Sequence, residues 1–280
     1  MDARGKHIIE NQHLISYQNV IIMRHGDRLD NIDPLWATTA SRPWDPPLAQ
    51  AGRIRAFQTG KGIEHSLKYA IHQVFVSPFL RCVQTIVELI AALSTINEGL
   101  ETFIGEDNLV GTSKVKVSIE YGLCEVLNNV AIRPNVAPKD GNISFDISVL
   151  EALLPAGTVD NNVERVYNEL PQWGESFSEA RARYQQTIIK LADKYPTENL
   201  LFLTHGEALQ MVLSSTRKDD ANTKAKLQYC AYVELKRPIF KKDQSLAGGE
   251  FNVLPRYSQT GVSYISSTDP SGENINQTSK

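Results

Sequence analysis

The chain has 280 residues, with 29 Lys and Arg against 32 Asp and Glu, giving a formal net charge of −3. That balance excludes a polybasic nucleic-acid or membrane-surface binder by bulk charge, and 41% hydrophobic with 22% charged residues excludes wholesale disorder. The length suits one large α/β domain or two small ones. Residues Met1 to Gln18 lack the unbroken apolar core of a signal peptide, and no apolar run approaches the ~20 residues of a membrane span. Three widely spaced cysteines, Cys82, Cys124 and Cys230, fit a reducing compartment better than a disulfide framework. A cytoplasmic location is expected, with the nucleus as the alternative.

In chain order, Val20–Met23 is a short apolar run emptying into Arg24-His25-Gly26, the pattern of a buried central strand. Val74–Val76 does the same before Ser77-Pro78. Leu80 to Leu93 places Leu80, Val83, Ile86, Val87, Ile90 and Ala91 at helical spacing. Val115–Ile119 alternates and predicts a half-buried or edge strand. Asn128 to Gln172, rich in Pro, Gly and Asn, predicts an excursion over the surface that covers a pocket. Phe177 to Tyr195 predicts a helix that Pro196 ends. Asn199–Leu203 is another buried strand, emptying into Thr204-His205-Gly206, and Tyr229–Leu235 reads as the last strand. Beyond Arg237 the polar, Ser/Thr-rich composition predicts a poorly ordered tail, with Tyr257 and Tyr264 as candidate anchors for parts of it. Strands alternating with helices imply an α/β fold with a mostly parallel sheet. The expected organisation is a catalytic domain over 1–240, with its inserted cover at about 128–172, then a tail over 241–280.

Several chemistries have no motif here. There is no GxxxxGK[ST] phosphate loop, no GxSxG elbow, no HExxH helix and no CxxC or CxxH pair. A cysteine-phosphatase loop needs arginine six residues after its cysteine, where this chain has Glu88, Val130 and Lys236.

Two histidines, by contrast, share one placement: His25 and His205 each directly follow a buried strand and precede glycine. Ligands of open α/β sheets bind outside the carboxyl ends of the strands, so both imidazoles are expected in one crevice. Arg24 and Arg28 flank His25, and Arg81 follows the second strand. Taken singly, each is an ordinary strand-end histidine or surface arginine, and Glu125 an ordinary loop carboxylate. Three guanidiniums converging on one crevice call for an anion, phosphate first. His7, His13, His65 and His72 have no such context and read as surface or packing residues.

The segments Arg24-His-Gly-Asp-Arg28, Asp45-Pro-Pro-Leu-Ala-Gln-Ala-Gly52, Ser77-Pro-Phe-Leu-Arg-Cys-Val-Gln-Thr85, Glu120-Tyr-Gly-Leu-Cys-Glu125 and Thr204-His-Gly-Glu207 together resemble the histidine phosphatase, or phosphoglycerate-mutase-like, superfamily. Leu29-Asp30 brings the first segment nearest to the suppressors of T-cell-receptor signalling. Asp27 stands where that branch commonly has Glu, and Ala49 where it has Thr.

The resemblance implies a three-layer α/β/α sandwich and a phosphomonoester hydrolase. In it His25 takes the phosphoryl group, Arg24, Arg28, Arg81 and His205 bind its oxygens, and Glu125 protonates the leaving oxygen and then helps activate water. It implies no metal and no cofactor, since the guanidiniums neutralise the charge. The expected partner is a phosphorylated small molecule or phosphoprotein, with no nucleic acid and no membrane; the oligomeric state is open, a homodimer included. Arg28 stands where mutases carry a small hydroxyl residue, which favours hydrolysis over phosphoryl transfer to another hydroxyl. A non-catalytic phosphate binder would need neither the nucleophile nor the acid. Two hundred and eighty residues leave no room for the ubiquitin-binding and SH3 modules of those relatives, so specificity is expected to lie in the pocket.

Overall fold

A computed structural model of the chain describes residues 13–94, 115–216, 223–242, 244–254 and 260–266. Its centre is a seven-stranded sheet in the order β3 (Lys116–Ile119), β2 (Gln73–Val76), β4 (Leu200–Thr204), β1 (His13–Arg24), β6 (Tyr232–Lys242) and β7 (Ser245–Gly248), with β8 (Asn252–Val253) also pairing β6. β1, β2, β3 and β4 run parallel, while β6 lies antiparallel to β1.

Alternation along the strands divides the core into two layers. Ile21, Met23, Val74, Val76, Leu201 and Leu203 face one side. There they pack, beside the short α1 (Trp36–Thr39), on α2 (Gln50–Ser66) and α3 (Leu80–Ser94) through Ala56, Ile63, Val83, Ile86 and Leu89. Val20, Ile22, Phe75, Leu200 and Phe202 face the other side. They meet α5 (Phe177–Lys194) and α6 (Gly206–Thr216) through Tyr184, Ile188, Leu191, Leu209 and Val212. Two apolar faces on one sheet require helices on both, which is the expected three-layer α/β/α sandwich.

Strand ends set the position of the site. The register pairs Met23 with Leu203, Val76 with Leu203 and Val76 with Ile119, so the four parallel strands finish level. The ladder runs one step further, with His25 N–H donating to Thr204 O, Ser77 N–H to Leu203 O and Glu120 N–H to Val76 O. His25, Ser77, Glu120 and His205 thereby leave the sheet along one edge.

The predicted helices and buried strands fall where the patterns put them. α5 opens with a capping box, Ser176 with Glu179, and Gln18 Nε2 donates to the carbonyls of Ala192 and Tyr195 at its end. β3 is an edge strand, but Val117, Ser118 and Ile119 are all buried instead of alternating. The reason is a parallel bridge from Val159 of the excursion, which covers that edge.

The excursion itself, residues 128–172, contains the short helix α4 (Ile147–Glu151). It lays Ile132, Val136, Leu150 and Leu154 onto the α2–α3 layer.

Two expectations need correction. The strand predicted to end at Leu235 continues to Lys242, because the buried Arg237 is held there by Nε donating to Gln18 Oε1 and Nη1 to Asp193 Oδ1. The supposed tail also carries structure. β7 (Ser245–Gly248) and β8 (Asn252–Val253) pair β6, and β9 (Val262–Ser266) pairs antiparallel with β5 (Thr223–Leu227). These strands are short and the sequence around them is polar, so composition concealed them. Residues 243, 255–259 and 267–280 of the tail, and residues 1–12, lie outside the described residues. All three cysteines are free and buried, and among the described residues no helix is long and apolar enough to cross a membrane.

Candidate active site

All six residues singled out in the sequence meet at this edge. One ligating atom from each of His25, Glu125 and His205 lies within 4.8 Å of the others. Arg81 Nη2 is 3.3 Å from Glu125 Oε2, and Arg24 and Arg28 are close enough to feel that carboxylate's charge.

His25 is 2% exposed and enters the site from β1. Its Nδ1 donates to the carbonyl of Gly26 at 2.8 Å, which leaves the lone pair on Nε2. Burial drives its pKa well below the ordinary 6.5, and the positive charges of Arg81 and Arg24 add to this, so the ring is neutral.

The surrounding loop is held by neighbours the motifs supply. Thr85 Oγ1 accepts from Gly26 N–H and donates to Arg81 O. Ala49 N–H donates to Asp27 O. Gly52 lies flat against this loop: a Cβ there would come within 2.7 Å of Asp27 N, so only glycine lets α2 start that close.

His205 is fully buried. Its Nδ1 donates to Glu125 Oε2 at 3.1 Å, and its Nε2 accepts from the Ser77 hydroxyl at 2.8 Å. Burial lowers His205 to about 4 against the pull of Glu125. Burial alone would raise Glu125, yet His205, Arg81 and the N–H of Val126 hold its carboxyl down to about 2. At neutral pH the site thus pairs a neutral His205 with an ionised Glu125.

The three arginines differ. Arg28 is committed, with Nε and Nη2 donating to the two oxygens of Asp30 at 2.9 and 2.6 Å, and Arg133 joins the same carboxylate at 3.0 Å. Arg24 donates Nη1 to Leu227 O and lies 4.3 Å over the ring of Tyr229. Arg81 is 1% exposed; its nearest acid besides Glu125 is Asp45, whose Oδ1 is 3.9 Å from Nη1. Nε of Arg24 and Nε and Nη1 of Arg81 are buried without a hydrogen-bond partner. Such N–H groups are costly unless an acceptor meets them, and an oxyanion would do so.

The same cations bear on how the site would receive a metal ion. His25, Glu125 and His205 have the donor types of a metal triad, but Arg81 already pairs with Glu125 and its charge opposes a cation between the rings.

Tyr229, Ser77, Thr85 and Asp45 were not singled out by role from sequence. Tyr229 packs 5.6 Å from the His25 ring and accepts from Asn31 Nδ2 at 2.6 Å. Asp45, raised to about 6 by burial, accepts from Leu80 N–H at the start of α3. The fixed motif positions of Ser77, Thr85 and Asp45 were their signal; Tyr229 had none.

Fold and site together define a three-layer α/β protein with two histidines and three arginines gathered at the carboxyl ends of its parallel strands. Comparison with known proteins agrees with the resemblance read from the motifs. A model of the histidine phosphatase superfamily (branch 1) matches residues 156–243, the part that carries His205. The ubiquitin-associated and SH3 domain-containing protein A of Mus musculus is 26% identical over 55% of this chain. The chain spans 28% of that relative's length. Among solved structures, the ecdysone phosphate phosphatase of Bombix mori, in complex with tungstate, superposes with a TM-score of 0.59 at 20% identity, over 94% of this chain and 96% of that one. A phosphoglycerate mutase from Bacillus anthracis gives a TM-score of 0.47 at 14% identity, over 84% and 92% of the two chains.

Proposed function

We propose that this protein is a metal-independent phosphomonoester hydrolase working through a phosphohistidine on His25. The observation that carries the reading is the pairing of a buried, neutral imidazole, its Nδ1 fixed by Gly26 O, with buried guanidinium N–H groups of Arg24 and Arg81 that have no protein acceptor.

The phosphoryl oxygens take those donors, together with Arg28, and His25 Nε2 attacks phosphorus as the ester oxygen leaves on the opposite side. Positioning and preorganised charge supply most of the acceleration. Glu125 is ionised at rest, so its proton has to arrive with the substrate. A phosphate on Arg81 competes for the guanidinium and adds negative charge beside Oε2. Both effects raise the carboxyl's proton affinity, and Glu125 then gives the proton to the leaving oxygen. In the second half-reaction it takes a proton from the water that attacks phospho-His25, and inorganic phosphate departs.

Likeness to the ecdysone phosphate phosphatase, whose structure holds the oxyanion tungstate, supports a phosphoester substrate. The substrate class proposed is a phosphorylated small molecule or a phosphoprotein.

A panel of phosphometabolites, phosphopeptides and an aryl phosphate, run on wild type and His25→Ala with and without chelator, tests this. Hydrolysis by wild type alone, indifferent to chelator, with acid-labile label trapped on His25, is the expected result. Full activity in His25→Ala, or recovery of the phosphoryl group on a second alcohol instead of in water, would overturn it.

A further inference from the structure

We infer that Arg183 and Tyr184, outside the reacting centre, position the Glu125 carboxylate, and that Glu175 holds Arg183 for this task. The inference rests on the role of Glu125 proposed above.

Glu125 follows a 3-10 turn, Tyr121–Leu123, and the carbonyls just before it are bound by side chains. Arg183 Nη1 donates to Gly122 O at 2.8 Å and to Cys124 O at 3.0 Å. Tyr184 Oη donates to the same Cys124 carbonyl at 2.7 Å, and Thr204 Oγ1 to Leu123 O at 2.9 Å. Three successive peptide units ahead of Glu125 are therefore pinned, two of them from adjacent residues of α5.

The remaining donors of Arg183 are also spoken for. Nε and Nη2 meet the two oxygens of Glu175, each at 2.7 Å. Arg183 is 4% exposed. A buried bidentate pair adds little net stability, because desolvating both ions cancels most of the attraction. What the planar guanidinium supplies is direction: with one edge fixed on Glu175, Nη1 can point only at the two carbonyls.

Glu175 is itself tied to the far side of Glu125. Asn128 Nδ2 donates to Glu175 O at 2.8 Å, and Gly174 N–H to Leu127 O at 2.7 Å. The return of the excursion and the start of α5 thus grip residues 122–128 from both sides.

A displaced general acid penalises poor leaving groups and spares good ones, whereas partial unfolding lowers all rates alike. The experiment measures kcat/KM for an alkyl phosphate and for dinitrophenyl phosphate, with pH profiles, in wild type, Tyr184→Phe, Arg183→Lys and Glu125→Gln. Tyr184→Phe removes one hydroxyl. Arg183→Lys keeps the charge beside Glu175 but cannot span both carbonyls.

We expect each α5 variant to lose about 10-fold on the alkyl ester, a part of the 10²–10⁴ that a positioned acid supplies, and less than about 3-fold on the dinitrophenyl ester. The alkaline limb of the pH profile, where activity falls as the general acid loses its proton, should shift with it. Equal losses on both esters, while Glu125→Gln still discriminates between them, would overturn the inference and leave the role of Glu125 standing. Absence of discrimination in Glu125→Gln would overturn both.

Discussion

Asp30 receives both Nε and Nη2 of Arg28, at 2.9 and 2.6 Å, whereas Arg81 keeps Nε and Nη1 without a hydrogen-bond partner in the same site. Two arginines of one motif set are thus in different states before any anion arrives. Arg81 has donors to give; Arg28 must share or surrender its carboxylate.

The arginines should therefore differ on substitution. Arg81→Ala is expected to lower kcat/KM for an aryl phosphate by about 10²–10³, the loss typical of a preorganised donor to developing charge. Arg28→Ala should lose less, and Asp30→Asn, which releases Arg28, should tighten binding of inorganic phosphate. Equal losses for Arg28 and Arg81 would contradict the assignment.

Oxyanion affinity offers a second check. Glu125 is ionised and pairs with Arg81 at 3.3 Å, so it competes with phosphate for that guanidinium and repels it. Glu125→Gln should bind vanadate or tungstate more tightly, by about 1 kcal/mol or five- to tenfold, while hydrolysing alkyl phosphates more slowly. Calorimetric titration of wild type and variant decides it; weaker binding by the variant would show that the carboxylate does not oppose the anion.

Stability should fall in mild acid. His205 is lowered to about 4 from 6.5, so between these values the unfolded chain takes up a proton that the folded site refuses. The contribution, on the order of 3 kcal/mol, is fully present above pH 6.5 and is lost by about pH 4. His25, lowered for the same reason, acts in the same sense. Asp45 acts against them: raised to about 6 from 3.8, it takes its proton in the folded state first and stabilises the fold as pH drops through that window. Urea unfolding from pH 7.5 to 4.5 should show a net loss that His205→Asn flattens; an unchanged slope in that variant would refute the assignment.

Two glycines of α2 give a contrast in stability. Gly52→Ala forces Cβ against the Asp27 backbone and should cost about 1–3 kcal/mol, with a further loss of activity because the displaced loop carries His25. Gly62→Ala meets nothing within 4 Å and should leave activity intact and raise stability by about 0.5–1 kcal/mol. Thermal melts and turnover on the two proteins distinguish steric contact from helix propensity.

Legibility in the sequence followed the range of the interaction. His25 and His205 stand just after short, wholly apolar runs too short for helices, and Arg81 a few residues past another, so the crevice they share is legible from the chain alone. Arg183 could not: at helical spacing it is one of several polar residues of α5, and only the Gly122 and Cys124 carbonyls opposite explain why it is buried. Tyr229 packs on His25 across more than two hundred residues of chain, with no local pattern to mark it. The continuation of β6 was hidden by the polar composition beyond Arg237, whose guanidinium is drawn inward by Gln18 and Asp193, partners remote in the chain.

The level finish of the parallel strands bears on how the protein must come into being. β1 finds its partner β4 about 180 positions later, with Val20 opposite Leu200, and β2 cannot take its place until β4 has done so. Helices α2 and α3 form from neighbouring residues, but loop-closure entropy delays the sheet. In refolding from denaturant, helical circular dichroism should therefore return well before phosphate-ester turnover. On this order turnover waits for the sheet and not for the helices.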